Sequence, residues 1–281
     1  MMSRRSLSAY NRNPKKVVEC FMKSIKLENV EQISGKRVGR ADRFVFQCRP
    51  ELACFNQCCR NLNLFLYPYD VLQLKKALGI SADVFLEEYV DVVMRKGNFF
   101  PDVLLRMSDD GDHACIFSEL SGCRIYKDRP YTCRTFPVEY GLQYPAENRG
   151  PELIGFFRPP EFCLGRHEAH EWTLQTWSDD QGAAKHQQMS RKWSEVKYLF
   201  QKDPWGHEGP QGKRAKMAFM ASYNMDAFRG FVFESSLLKR YKIKTDLLKK
   251  IQRDDVALML FGFDWIKLFV WGVPSKKIRL R

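Results

Sequence analysis

Residues 48–59 of this 281-residue chain read CRPELACFNQCC, a stretch that contains four cysteines. Others follow further along the chain, and the eight members of the series are Cys48, Cys54, Cys58, Cys59, Cys115, Cys123, Cys133 and Cys163. Thiolates are soft ligands that suit zinc ions and iron–sulfur clusters. The pattern therefore predicts that these eight cysteines hold a metal centre and that the chain folds around it.

The first residues of the chain bear on the cellular compartment that we expect for the protein. Residues 3–7, SRRSL, superficially resemble a twin-arginine export signal, but the polar and basic YNRNPKK follows at residues 10–16 where an apolar stretch is needed. We therefore expect a cytoplasmic protein, in which thiols stay reduced and bunched cysteines indicate metal ligands rather than disulfides. The apolar stretch 256–273 contains Asp264 and Lys267, so we expect a core or interface helix there and no transmembrane segment.

The arrangement of the ligands stays open at the sequence level. Cys58 and Cys59 are adjacent, so their side chains should diverge, which favours two sites, a polynuclear cluster, or one ligand beside a non-ligand. Eight cysteines divide naturally into two sets of four, but spacing does not assign them. Cys20, the ninth cysteine, is interpreted as an ordinary buried residue, and His113 is a candidate substitute ligand.

Three arginines lie beside the second cysteine group: Arg124, Arg129 and Arg134. Four thiolates around a divalent ion leave excess negative charge, which nearby guanidinium groups would offset. The alternative is that these arginines pair with carboxylates such as Asp128 or Glu139.

The formal charge of +13 is concentrated at the two ends of the chain. Residues 1–43 hold 11 Lys/Arg against 4 Asp/Glu, and residues 236–281 hold 12 against 4. Basic segments attract nucleic acid, anionic lipid or acidic proteins, although they also serve solubility alone. No recognised nucleic-acid module accompanies the charge, which argues against a nucleic-acid partner without excluding it.

The sequence predicts an α+β fold that is mostly helical. An irregular, cysteine-rich metal-binding core with short strands should be followed by a helical C-terminal part. The expected domains are a basic N-terminal segment, a cysteine-cluster domain and a helical region packed on that core, at residues 1–43, 44–166 and 167–281. Apolar spacing and capping residues predict helices at 14–27, 68–78, 81–96, 183–202, 213–240 and 245–271. Residues 102–117 read as a hairpin, and residues 138–160 read as irregular or extended.

Several blocks resemble the YkgJ-type cysteine-cluster family, which is described as zinc- or iron-chelating. The blocks are FQC at 46–48, CFNQCCR at 54–60, LYPYD at 66–70, CIF at 115–117, CRIYKDRPYTCRTFP at 123–137 and FCLG at 162–165. The resemblance spans roughly residues 44–166 and implies chelation through the eight matched cysteines. Two departures are Cys54-x3-Cys58-Cys59 in place of Cys-x2-Cys-Cys, and the missing proline after Cys163.

Three functions are compatible with these features. The first is a metal-binding protein, with zinc or an iron–sulfur cluster, whose helical part binds an unidentified protein partner. The second is an S-adenosylmethionine-dependent protein lysine methyltransferase, because the family is distantly similar to flagellin lysine N-methylases. No glycine-rich nucleotide loop in a strand-to-helix setting supports that enzyme. The third is a nucleic-acid-binding protein with structural zinc.

Overall fold

The computed structural model describes residues 18–20, 23–25, 35–143 and 152–281. The fold divides into two compact units, one comprising Met1–Phe65 and Leu104–Gln188, the other Leu66–Val103 and Met189–Arg281. The chain therefore passes between the units more than once, whereas the domains expected from the sequence are linear. That linear division stays a prediction.

The strands are short. In chain order they are β1 (Val18–Cys20), β2 (Lys23–Ile25), β3 (Lys36–Val38), β4 (Phe44–Val45), β5 (Leu62–Leu66), β6 (Val90–Val93), β7 (Asp102–Leu105), β8 (Ser118–Glu119), β9 (Gly122–Cys123), β10 (Val138–Gln143), β11 (Glu152–Phe157), β12 (Glu171–Trp172), β13 (Tyr241–Ile243) and β14 (Ile278–Leu280).

The helices are concentrated after residue 173. In chain order they are α1 (Pro68–Leu78), α2 (Ala82–Glu88), α3 (Tyr131–Thr135), α4 (Leu174–Asp180), α5 (Ala184–Leu199), α6 (Lys213–Tyr223), α7 (Met225–Glu234), α8 (Leu237–Arg240), α9 (Thr245–Arg253) and α10 (Asp255–Trp271). Small sheets, short strands and a helical C-terminal part confirm the predicted α+β class.

The largest regular sheet of the first unit has the strand order β2-β10-β11-β3. β10 and β11 are antiparallel, with Tyr140 opposite Gly155 and Leu142 opposite Leu153. Alternate residues of β10 point into the core, where Leu142 is fully buried. Of the two alternatives expected for residues 138–160, irregular or extended, the extended one is confirmed for Val138–Gln143 and Glu152–Phe157. Their pairing was not predicted, because it is tertiary and leaves only a weak local signal.

The helix expected at 14–27 is also wrong where the chain is described. β1 pairs in parallel with β5, and β2 pairs in parallel with β10. Their partners lie far along the chain, and pairing of this kind overrides local helical propensity. The rest of that expectation lies outside the described residues.

The first two helices of the second unit begin as predicted. α1 starts at Pro68, where the Asp70 carboxylate accepts a hydrogen bond from the Tyr67 backbone, and it ends at Gly79 in the left-handed conformation. The Ser81 side chain caps α2 by accepting from the Val84 backbone. However, α2 ends at Glu88 and not near residue 96, because β-branched residues follow and form strand β6 beside β7.

The apolar core of the second unit is largely aromatic. The Phe228 ring of α7 packs against Phe261 and Trp265 of α10, at centroid distances of 6.1 and 5.7 Å. α6 crosses α10 so closely that a Cβ built on Gly262 would collide with the carbonyl oxygen of Ala221. Only glycine fits at that crossing. This packing agrees with the core or interface helix expected over residues 256–273.

α10 holds the most apolar segment of the sequence. It extends over Asp255–Trp271 and has 17 residues. Across the described ranges, no helix combines the length and the apolar character that crossing a membrane requires.

Two helical glycines should respond oppositely to alanine. Gly262→Ala should destabilise the protein by about 1–3 kcal/mol, because the added methyl group overpacks the α6–α10 crossing. Gly230→Ala in α7 should stabilise it by about 0.5–1 kcal/mol, because the new Cβ would meet only the Glu234 carboxyl group at 3.7 Å. Urea unfolding of both variants measures the difference, and equal effects would contradict the close crossing.

Candidate metal centre

The first and last cysteines are brought together by backbone pairing. β4 and β12 are antiparallel, with Val45 opposite Glu171. Beyond this pair, the Gln47 backbone N–H donates to the Gly165 carbonyl at 3.0 Å. A Cβ on Gly165 would lie 2.6 Å from the Gln47 carbonyl oxygen, so the contact requires glycine. Cys48 therefore lies beside the segment that carries Cys163.

Cys54 contacts the segment that carries Cys163. The backbone N–H of Leu164 donates to the Cys54 thiol sulfur, at 3.2 Å. Both Cys54 and Cys163 are buried. Burial and this hydrogen bond place two cysteines that are far apart in the sequence in one local environment.

A second backbone link joins the two cysteine groups. The Cys115 N–H donates to the Cys59 carbonyl at 2.7 Å, and Asn61 N–H donates to the His113 carbonyl at 3.0 Å. From Cys115 the chain enters the β8–β9 hairpin, in which Ser118 lies opposite Cys123. The hairpin expected over residues 102–117 is confirmed in part, because β7 forms its first strand and an isolated antiparallel bridge joins Met107 to Cys115.

Cys133 lies in the short helix α3, where two buried arginines fix the surrounding loop. Arg134 donates to the backbone carbonyls of Arg129, at 3.0 Å, and of Lys127. Arg129 donates to the Tyr126 carbonyl at 2.6 Å and to the Gln181 side-chain oxygen at 2.7 Å. These charge-assisted bonds hold the segment between Cys123 and Cys133 in one conformation.

One of the carboxylates expected as a partner for the three arginines pairs with a different residue. Glu139 pairs with Arg158, at 3.1 Å. Arg124 is exposed, and its guanidinium lies 5.6 Å from the Phe117 ring centroid. Both Arg124 and Arg129 favour the thiolate form of Cys123, although burial is the larger effect and raises its pKa overall.

The thiols converge on a cavity of about 710 Å³ that lies within the first unit. Six of the predicted ligands line it: Cys48, Cys58, Cys59, Cys115, Cys123 and Cys133. Cys54 and Cys163 do not line it, but both interact electrostatically with Cys48. Six of the eight predicted cysteines therefore share the cavity, the other two lie close enough to Cys48 to raise its pKa, and all eight are free thiols.

Crowding and burial shift the acidity of these thiols. Burial, with the nearby thiols of Cys163 and Cys54, raises the pKa of Cys48 to about 11. Burial is also the main cause that raises the pKa of Cys115 to about 12, and Cys59 adds to it. Like charges repel, so several thiolates cannot coexist here without a compensating cation.

Cys58 and Cys59 do not diverge as expected. They lie in a turn of 3-10 helix, Gln57–Cys59, which follows Asn56 in the left-handed conformation, and a hydrogen bond joins their thiols. This bond raises the pKa of Cys58 and lowers the pKa of Cys59. Adjacent thiols in mutual contact are available to the same centre.

The donor set suits zinc or iron in its chemistry, because eight soft sulfur atoms from separate segments share one environment. As the side chains stand, no group of three or more His, Cys, Asp or Glu in the described part of the chain could hold a metal ion. The thiols are therefore gathered but not closed around a point.

Residues beyond the predicted domain boundary at 166 also line the cavity. They include Trp172, Trp177 and Gln181, none of which spacing or motif identified. The signal available in the sequence was a pair of tryptophans soon after Cys163. His113, the candidate substitute ligand, does not line the cavity, and its Nδ1 lies 3.3 Å from the Ser108 carbonyl oxygen.

The cysteine arrangement is that of a metal-chelating cysteine-cluster domain. Residues 47–163 match the model of the CxxCxxCC family, whose description is "Putative zinc- or iron-chelating domain". The segment is therefore similar to that family, which confirms the resemblance seen in the cysteine blocks. No curated protein and no solved structure matches the chain. The similarity to flagellin lysine N-methylases stays a prediction.

A substitution at Gly165 tests the close contact between the segment that carries Cys163 and Gln47, the neighbour of Cys48. Gly165→Ala should lower stability by about 1–3 kcal/mol and reduce metal content, because the methyl group would push Gln47 away. Gly111→Ala is the matched control, since no atom lies within 4 Å of its Cβ. Thermal unfolding and elemental analysis of both variants provide the measurements. Unchanged metal content and stability in Gly165→Ala would contradict the close approach.

Proposed function

We propose that this protein binds zinc or an iron–sulfur cluster through the eight cysteines named above. The observation that carries the proposal is the gathering of thiols from four separate stretches of chain into one coupled group. The family match supports it at the level of zinc or iron chelation. A bound centre would supply Lewis acidity if it is zinc, or one-electron transfer if it is an iron–sulfur cluster.

Charge provides the physical argument for a cation. Mutual repulsion and burial hold thiols such as Cys48 and Cys115 protonated when no metal is bound. A metal ion replaces those protons, and its charge removes the repulsion among the thiolates. The buried Arg129 adds a further positive charge near Cys123.

The contact between Cys58 and Cys59 bears on the kind of centre. Two well-separated mononuclear sites would have to draw on sulfur atoms that lie close to one another. A centre with more than one metal ion uses adjacent thiols without separating them. We therefore favour a polynuclear thiolate centre, either an iron–sulfur cluster or a multi-zinc cluster.

Elemental analysis tests the function directly. Protein purified without oxygen should contain zinc or iron at more than one ion per chain, with visible absorption and acid-labile sulfide only in the iron case. Cys59→Ser should lose most of the metal, because Cys59 contacts Cys58 and links to Cys115. The Cys20→Ala variant, which replaces the ninth cysteine, should retain the metal. Metal-free wild-type protein that stays fully folded would contradict the proposal.

A second candidate, nucleic-acid binding, is favoured by one feature of the C-terminal segment. Lys242 and Arg279 lie directly opposite each other in the β13–β14 pair, and both are exposed. Like charges at opposed positions destabilise an antiparallel pair. Neither side chain has an ion-pair partner among the residues that the structure describes. A phosphate backbone would provide the missing counter-charge.

The double variant Lys242→Gln/Arg279→Gln tests that candidate. If these residues contact phosphates, it should weaken binding to duplex DNA or RNA and reduce the slope of log K against log salt by about two. The double variant Lys213→Gln/Lys216→Gln on α6 removes the same charge elsewhere and should leave the slope nearly unchanged. Wild-type protein that releases nucleic acid at modest salt would rule the candidate out.

A further inference from the structure

The cavity beside the thiols has a second wall that a metal centre does not require. Its lining includes the rings of Phe46, Phe136, Trp172 and Trp177. A volume of about 710 Å³ lies within the range of pockets that bind organic ligands, about 300–1,000 Å³. The cavity is therefore large enough for an organic molecule in addition to a thiolate centre.

The aromatic wall is held in place by its own hydrogen bonds. Trp172 donates its indole N–H to the Phe46 carbonyl at 2.7 Å, and Trp177 donates to the Thr135 carbonyl at 3.0 Å. The Trp172 and Trp177 rings meet edge to face at 5.2 Å. With both indole N–H groups satisfied by the protein, the partly exposed Trp172 ring offers an ordered apolar surface to a ligand, and the buried Trp177 ring supports it from behind.

A buried cation faces the same space. Arg129 lines the cavity and is 7 % exposed, and its guanidinium stacks on the Tyr126 ring at 3.8 Å. Its hydrogen bonds go to the Tyr126 carbonyl and to the neutral Gln181 side chain. No carboxylate of the described segments forms an ion pair with Arg129. Asp180 also lines the cavity, but it is exposed and accepts from the Gln181 amide at 2.7 Å.

We propose that this cavity binds an organic carboxylate with an aromatic body, which Arg129 anchors by its charge. The guanidinium has N–H groups left over for a carboxylate, and the aromatic wall receives the apolar part. The thiolate centre, which rests on the proposed function above, disfavours a doubly charged phosphate by repulsion. The ligand is therefore a monoanion whose body fills the space between the thiols and the tryptophans.

The test compares 2-naphthoate with the neutral 2-naphthalenemethanol on metal-loaded full-length protein by calorimetry. Naphthoate should bind at least about tenfold more tightly, a difference that corresponds to about 1.4 kcal/mol. Arg129→Gln should remove this preference. Lys127→Gln, which removes an exposed charge from the same loop, should keep it. Equal affinity for the two probes in the wild type would overturn the proposal, as would the absence of naphthoate binding.

A second variant protects the test against a folding defect in Arg129→Gln. Gln181→Glu places a carboxylate where the Gln181 oxygen now accepts from Arg129, and the exposed Asp180 is free to turn away. The internal ion pair should preserve the fold and abolish the preference for naphthoate. A preference that persists in both variants would overturn the proposal. Metal content measured in the same samples shows separately whether the centre itself has been lost.

Discussion

The organisation of the first unit depends on holding many cysteine thiols close together. Burial and neighbouring thiols raise the pKa of Cys48 and of Cys115, whereas the hydrogen bond with Cys58 lowers the pKa of Cys59. Thiols such as Cys48 and Cys115 therefore keep their protons when no cation is bound. When a metal centre is bound, the neighbouring thiolates become its ligands, so the free energy of metal binding also stabilises the fold.

The chain prepares this environment with backbone contacts rather than with a large regular sheet. The Gln47–Gly165 and Cys115–Cys59 hydrogen bonds connect segments that are distant in the sequence. Arg129 and Arg134 then fix the loop that carries the later cysteines through bonds to backbone carbonyls. Guanidinium groups serve this purpose well, because one planar side chain can satisfy several carbonyls and also bring positive charge.

The cavity has two chemically different walls. One wall consists of sulfur donors, and the other consists of aromatic rings whose N–H groups the protein itself satisfies. A molecule bound in the cavity would therefore contact both the sulfur donors and the aromatic wall.

The sequence by itself identified the soft sulfur donors, the resemblance to the cysteine-cluster family and the main helices, because these depend on residue identity, caps and short-range periodicity. α1 illustrates this, since Pro68 and Gly79 mark its ends locally. Only the tertiary structure decided that Val138–Gln143 and Glu152–Phe157 form paired strands, that the thiols of Cys58 and Cys59 meet, and that Trp172, Trp177 and Gln181 share the cavity with the cysteines. These features depend on contacts between residues far apart in the chain, and neither composition nor periodicity encodes such contacts.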